Sequence, residues 1–207
     1  MKYFLPAIVF LLIVSIGRVN AQTFSDPNFS GSNIGSGWNE PCGAVFNSAG
    51  TKLFVWEKGG KLFVCNWNGT TYVKQSTVVL DISPEVGNWR DHGLLGFTLD
   101  PNFTVNGYVY LLYAVDRHHL IHFGTSNYNA STNDYFKATV GRITRYRLIT
   151  SGNNLVADLP SRKILVGETK STGFPILHES HGIGALAFAA DGTLLASCGD
   201  AASYNTT

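Results

Sequence analysis

One pattern occurs three times along the chain, and it limits the fold more than any other feature. Gly43-Ala44-Val45-Phe46 precedes Gly50 and then Leu53-Phe54-Val55. Gly93–Phe97 precedes Gly107 and then Val109-Tyr110-Leu111. Gly184–Phe188 precedes Gly192 and then Leu194-Leu195-Ala196. The first interval, Gly43 to Gly93, is 50 residues, and the second, Gly93 to Gly184, is 91. An irregular stretch, Arg117–Thr139, reads as an insertion and accounts for about half of the excess. Repetition at about fifty residues with four short strands per repeat is the mark of propeller blades. A β-sandwich gives no reason for a recurring Gly-apolar-Phe element, and a β-helix repeats at a shorter interval. The fold class expected is all-β, about three blades of a β-propeller.

The strands are legible one by one. Lys52–Glu57 and Lys61–Asn66 flank Lys58-Gly59-Gly60 and form a hairpin. Thr71–Val73 and Thr77–Ile82 continue a meander. Tyr108–Tyr113 is rich in strong β formers. Gly141–Leu148 alternates and reads as an outer strand, and Leu155–Ile164 follows it. Three blades do not close a ring, and an open arc exposes two apolar sheet faces. The chain is therefore expected to be the N-terminal part of a longer protein.

The start of the chain is set apart before any fold argument. Lys2 precedes the apolar run Leu5–Ile16, and Val19-Asn20-Ala21 has the form of a cleavage site. Residues 1–21 read as a signal peptide, 22–40 as an extended lead-in, and 41–207 as the partial propeller. The apolar run is short for a membrane span, so an exported protein, secreted or periplasmic, with no span after cleavage is expected. Cleavage leaves 13 basic against 14 acidic groups, a balance that argues against a nucleic-acid partner. Charged residues are only 14% of the chain, against about a quarter in typical domains. Short buried strands account for that. Cys42, Cys65 and Cys198 are odd in number, so at least one stays unpaired within the chain. Cys65 and Cys198 lie in apolar runs and read as buried small hydrophobes. Sequons stand at Asn68, Asn102, Asn129 and Asn205.

The candidate chemistry lies in the third repeat. Ala185–Phe188 and Leu194–Ala196 flank the turn Asp191-Gly192, which makes a β-hairpin. His181 enters the hairpin and Asp200 leaves it, so an imidazole and a carboxylate meet at one rim. Such a pair is either an oriented general base or a histidine capping a turn. In a propeller, the starts of the inner strands line the channel mouth, where ligand sites concentrate. His178-Glu179-Ser180-His181 lacks the spacing of a helical zinc motif, and Pro175, Gly182 and Gly184 oppose a helix. His118, His119 and His122 lie in the polar insertion and read as solvated. No serine-esterase, phosphate-loop or dinucleotide motif occurs.

Two stretches carry a resemblance. Gly93-Leu94-Leu95-Gly96-Phe97, then Asp100-Pro101-Asn102-Phe103 and Asn106-Gly107-Tyr108-Val109-Tyr110, resembles the corresponding stretch of the soluble quinoprotein glucose/sorbosone dehydrogenase family. His181-x-x-Gly184-x-Leu186, Asp191-Gly192 and Gly199-Asp200 resemble that family's second motif, with the same internal spacing. The resemblance runs from about Pro41 to Asp200. It implies a six-bladed propeller that holds pyrroloquinoline quinone (PQQ) over its channel with calcium and oxidises the C1 hydroxyl of an aldose. It also implies an electron acceptor, respiratory or artificial. The family's base falls on His181, its orienting carboxylate on Asp200, and a quinone-facing residue on Asp91. Asp91 is one methylene shorter than the Gln or Glu usual there, and Ala185 replaces an Arg or Gly. The calcium loop and the basic cofactor-binding residues are expected downstream of Thr207. A second expectation is a non-catalytic propeller that binds a glycan or a protein, as in the Hedgehog-interacting relatives.

Overall fold

The structure is a computed structural model, and it describes residues 24–201. The expected signal peptide and the sequon at Asn205 lie outside the described residues. The chain divides at Asn33 and Ile34 into two units. In the first, Asp26 Oδ1 accepts the Asn28 backbone N–H at 2.9 Å.

The second unit holds three antiparallel sheets. The first is a meander of β1 (Pro41–Phe46), β2 (Lys52–Glu57), β3 (Lys61–Trp67) and β4 (Tyr72–Lys74), with β5 (Leu80–Asp81) also paired to β3. The second contains β6 (Leu94–Leu99), β7 (Tyr108–Ala114), β8 (Thr139–Ser151) and β9 (Asn154–Val166) in sequence order. A short β10 (Phe174–Ile176) pairs with the start of β8. The third is the hairpin β11 (Ile183–Phe188) with β12 (Leu194–Cys198). Two full blades and the first hairpin of a third are therefore described. The three repeats of the sequence fall on β1, β6 and β11, the first strand of each sheet.

Side-chain parity explains the stacking. Successive residues of a strand face opposite sides, so a sheet covered on both sides needs apolar residues at nearly every position. Phe54, Trp56, Leu62 and Val64 of the first blade meet Leu94, Phe97, Val109, Leu111 and Tyr113 of the second in one buried cluster. The alternate residues Leu112 and Ala114 face the other way, with Ile143 and Ile176, onto Ile183 and Leu186 of the third sheet. On the far side of the first blade, Leu53, Val55 and Cys65 are covered by Ile34, Trp38 and Tyr72. Each buried large side chain contributes about 1.5–3 kcal/mol, and this two-sided burial makes the blades one body.

The first strands share one more feature. Their pairing register shifts between Pro41 and Gly43, between Leu94 and Gly96, and between Ile183 and Leu186. Such bulges bend a strand and re-aim its end, here at the end from which the candidate site projects.

Four expectations need correction. Gly141–Leu148 is not an outer strand. It belongs to β8, which pairs with β7, β9 and β10, and its alternation reflects two different buried neighbours. The insertion opens with a short helix, α2 (Arg117–His122), after a one-turn α1 (Phe103–Asn106) in the β6–β7 connection. Asp116 is buried and caps α2 by accepting the His118 N–H at 2.9 Å and the His119 N–H at 3.4 Å. His119, expected to be solvated, is buried. Cys198 is exposed, as is Cys42, while Cys65 is buried. Cys198 is the last residue of β12, beyond Leu194 and Ala196, which pack on the core cluster. The sequon residues Asn68, Asn102 and Asn129 lie in exposed turns.

Candidate active site

Antiparallel meanders bring the segments that precede β6 and β11 to the same end of the stack. There, residues 89–92 lie against residues 178–182. The Asp91 N–H donates to Glu179 O at 3.3 Å, Arg90 pairs with Glu179 at 3.4 Å, and His92 Nε2 lies 2.7 Å from His178 O.

His181 stands at the tip of the second segment. Its φ of 54° is in the left-handed region, a conformation that costs a non-glycine residue on the order of 1–3 kcal/mol and persists only where the surroundings impose it. The closing end of the hairpin does so. Gly199 N–H donates to Gly182 O at 2.6 Å and Ala201 N–H donates to His181 O at 2.9 Å. A Cβ on Gly199 would lie 2.4 Å from His181 O, so only glycine lets the two ends of the hairpin approach this closely.

The result is the pair read from the sequence. His181 Nδ1 and Asp200 Oδ1 are 3.0 Å apart. The side chains are 54% and 70% exposed, so the imidazole meets solvent while tethered through one nitrogen. A carboxylate on Nδ1–H selects the tautomer in which Nε2 carries the lone pair. That arrangement can accept a proton from a bound hydroxyl. Asp91 is exposed on the neighbouring segment. The structure thus brings His181 and Asp200 into contact and places Asp91 on the strap that clasps their loop.

Sequence reasoning missed two groups. His92 is fully buried, with its ring against Gly182 and near-perpendicular to Trp89, the ring centroids 4.7 Å apart. Burial holds its pKa below the ordinary histidine value, although His178 O pulls the other way. The second group centres on Glu85, itself buried. It accepts from Tyr113 Oη, from Arg142 at 2.8 Å and from Arg162 at 2.5 Å. Its partners come from 28, 57 and 77 residues away, so no local pattern marks the cluster. Burial raises the Glu85 pKa, but Arg162, Tyr113 and Arg142 outweigh it and hold the carboxyl below its usual range. His119 Nε2 lies 3.9 Å from Glu85, yet burial takes its pKa down to about 4. The cluster ties β7, β8 and β9 to the segment before β6. A polar cavity of about 540 Å³ among Glu57, Lys61, Phe63, Asn88 and Tyr135 is lined by none of His181, Asp200 and Asp91.

A family model described as Glucose / Sorbosone dehydrogenase matches residues 38–207. The chain belongs to the glucose/sorbosone dehydrogenase family. The structure is similar to a glucose dehydrogenase at 20% identity and a TM-score of 0.55, covering 82% of this chain and 41% of that one. A second glucose dehydrogenase matches at 20% identity and 0.53, covering 82% and 40%. The PQQ-bound form of an aldose sugar dehydrogenase from Streptomyces coelicolor matches at 20% identity and 0.48, covering 81% and 40%. The chain therefore spans about two fifths of these structures. No curated protein matches the sequence. The likeness carries the fold: this all-β family member is built as propeller blades, as its repeats require.

A quinone bearing carboxylates needs cations or N–H donors around it as well as a base beside the substrate. Among the described residues of the 83–93, 178–182 and 199–201 segments, Arg90 is the one arginine or lysine, and it pairs with Glu179. The residues present suit the base side of such a site, and none is assigned to the quinone's carboxylates. Among the described residues, no three His, Cys, Asp or Glu side chains gather as a metal site.

Proposed function

We propose that this chain forms the base-bearing part of an exported, PQQ-dependent sugar dehydrogenase that oxidises the C1 hydroxyl of an aldose. The observation that carries the reading is the 3.0 Å contact between His181 Nδ1 and Asp200 Oδ1, on an exposed rim where the inner strand of a blade begins. Family membership supports it, as do the two motifs.

In this reading Asp200 holds the His181 ring and stabilises the imidazolium that forms. His181 Nε2 takes the proton of the C1 hydroxyl as that carbon gives up hydride. The quinone, when bound, accepts the hydride and carries the redox change. Asp91 occupies the quinone-facing position on the adjacent strap. A carboxylate there can accept but not donate a hydrogen bond, so the contact it would make needs a donor on its partner; calcium, if bound, would be held by residues outside this segment. No helix among the described residues is long and apolar enough to cross a membrane; the apolar run Leu5–Ile16 lies outside them, and export with cleavage near Ala21 belongs to the proposal on the form of that run alone. Electrons then pass to a respiratory or artificial acceptor.

The test is the full-length protein with quinone, calcium and a panel of aldoses, following reduction of an acceptor dye. Wild type is expected to reduce the dye and His181→Asn to lose at least about 100-fold, the lower end of general-base contributions. Quinone binding without turnover, or turnover unchanged by H181N, overturns the assignment of His181. If neither quinone binding nor turnover is seen and the protein instead retains a glycan or a protein ligand, the non-catalytic propeller is the correct reading.

A further inference from the structure

We propose that His92 is the positioning residue of the site: its buried imidazole sets the loop that holds His181 at the mouth. This rests on the reading of His181 given above and extends it to a residue from another blade.

The geometry is specific. His178 O can only accept a hydrogen bond, so the 2.7 Å contact requires a proton on His92 Nε2. The neutral ring then presents a bare Nδ1. That atom is buried with no hydrogen-bond partner, and a Cβ on Gly182 would lie 3.1 Å from it and 2.9 Å from Cε1. The ring therefore fills the space beneath the residue that follows His181, while its other nitrogen holds the carbonyl three residues before His181. Trp89 packs near-perpendicular to the ring, its centroid 4.7 Å away, and limits rotation of the imidazole. Asp91 N–H on Glu179 O adds a second tether from the same strap. Buried polar groups usually find partners; this ring is satisfied through Nε2 alone, at His178 O. A larger apolar side chain would fill the volume, but it would release His178 O. No atom of His92 reaches solvent, since the residue is 0% exposed, so it acts through the loop and not on substrate.

The loop needs such a hold. His181 occupies a left-handed backbone conformation, and the closing hairpin supports it only from the Gly199–Ala201 side. The strap of the second blade supports it from beneath.

The experiment uses the full-length protein labelled uniformly with ¹⁵N. Long-range proton–nitrogen spectra report the tautomer of each ring, and exchange rates report the amides of residues 179–182. Wild type is expected to show His181 protonated at Nδ1. His92→Ala is expected to mix the His181 tautomers and speed exchange at those amides at least tenfold. It should lower kcat by about 100-fold, the scale of a small misplacement, with the KM for aldose changed less than twofold. His92→Gln, whose amide can still donate to His178 O, should restore the wild-type tautomer and most of kcat. Gly182→Ala, which drives a methyl against the ring, should reproduce His92→Ala.

A merely structural His92 would lower the melting temperature and leave the His181 tautomer and loop exchange unchanged, which would overturn the proposal. Failure of His92→Gln to rescue a folded protein would overturn it as well. If His92→Ala does not fold, Gly182→Ala and His92→Gln decide the same question. The spectra read positioning even in a protein without turnover, so failure of the dehydrogenase reading stays separate from failure of this one.

Discussion

Asp200 and His181 are both more than half exposed, so their attraction is screened by water and salt, and their contact acts chiefly through orientation. Asp200→Asn keeps the shape but presents an amide that can donate as well as accept. It is expected to scramble the His181 tautomer and lower kcat by about 100-fold, less than the roughly 10⁴ known for a buried triad aspartate. Steady-state dye reduction checks this, with a KM for sugar that stays put. Gly199 sets a second expectation at this scale. An alanine there would drive its Cβ into His181 O, at 2.4 Å in the present backbone. Gly199→Ala should therefore displace His181 and cost activity with little change in melting temperature, because the hairpin end is exposed. Melting and turnover measured together test it. The pair itself was legible because a hairpin brings its two ends together whatever surrounds it. His92 was not, because His178, whose carbonyl it holds, lies 86 residues away in a loop with no period.

Among elements, the helix α2 and the Glu85 cluster carry the expectations. Asp116 joins two segments: it caps α2 and accepts the Asp134 N–H at 3.1 Å. Asp116→Ala is expected to cost about 1–2 kcal/mol, the range of a lost N-cap, and to speed amide exchange throughout residues 117–135. Exchange mass spectrometry measures both. The Glu85 cluster sets the response to acid. His119 has a folded pKa near 4 against an ordinary value of 6.5, so the unfolded chain binds its proton first. Its contribution is complete above pH 6.5 and falls away as pH drops toward 4. Glu85, held below its usual range, contributes above the ordinary carboxylate pKa and is lost as pH falls through its lower folded value. Urea midpoints should therefore decline steadily below pH 6.5. His119→Gln should flatten the upper part of that decline and leave the lower part. A midpoint independent of pH between 7 and 4 would refute the assignment. The insertion read as a loop of solvated histidines because no local pattern records a glutamate that arrives from before β6.

For the whole molecule, stability resides in the face between the first two blades. Leu111 is fully buried there and belongs to the shared cluster. Leu111→Ala should cost about 2–5 kcal/mol, the range for a leucine removed from a packed core. Chemical denaturation should show one transition for both blades, since each is half of the other's core; two separate transitions would contradict that. The exposed face of the last hairpin, with Leu195 54% exposed, contributes much less. Leu195→Ala is expected to lie within about 0.5 kcal/mol of wild type.

The sequence by itself determined the class of fold, the repeat and the candidate pair. Periodicity of two, turn glycines and a recurring element are local properties, and a hairpin converts nineteen residues of separation into contact. It also carried the family motifs, which run along single strands and turns. Tertiary structure alone decided what lies beneath the pair. The strap of the second blade under His181, the burial of His119, and the gathering of Glu85 with Arg142 and Arg162 depend on blades stacking face to face. Stacking joins residues by space and not by spacing, so no period in the chain announces them.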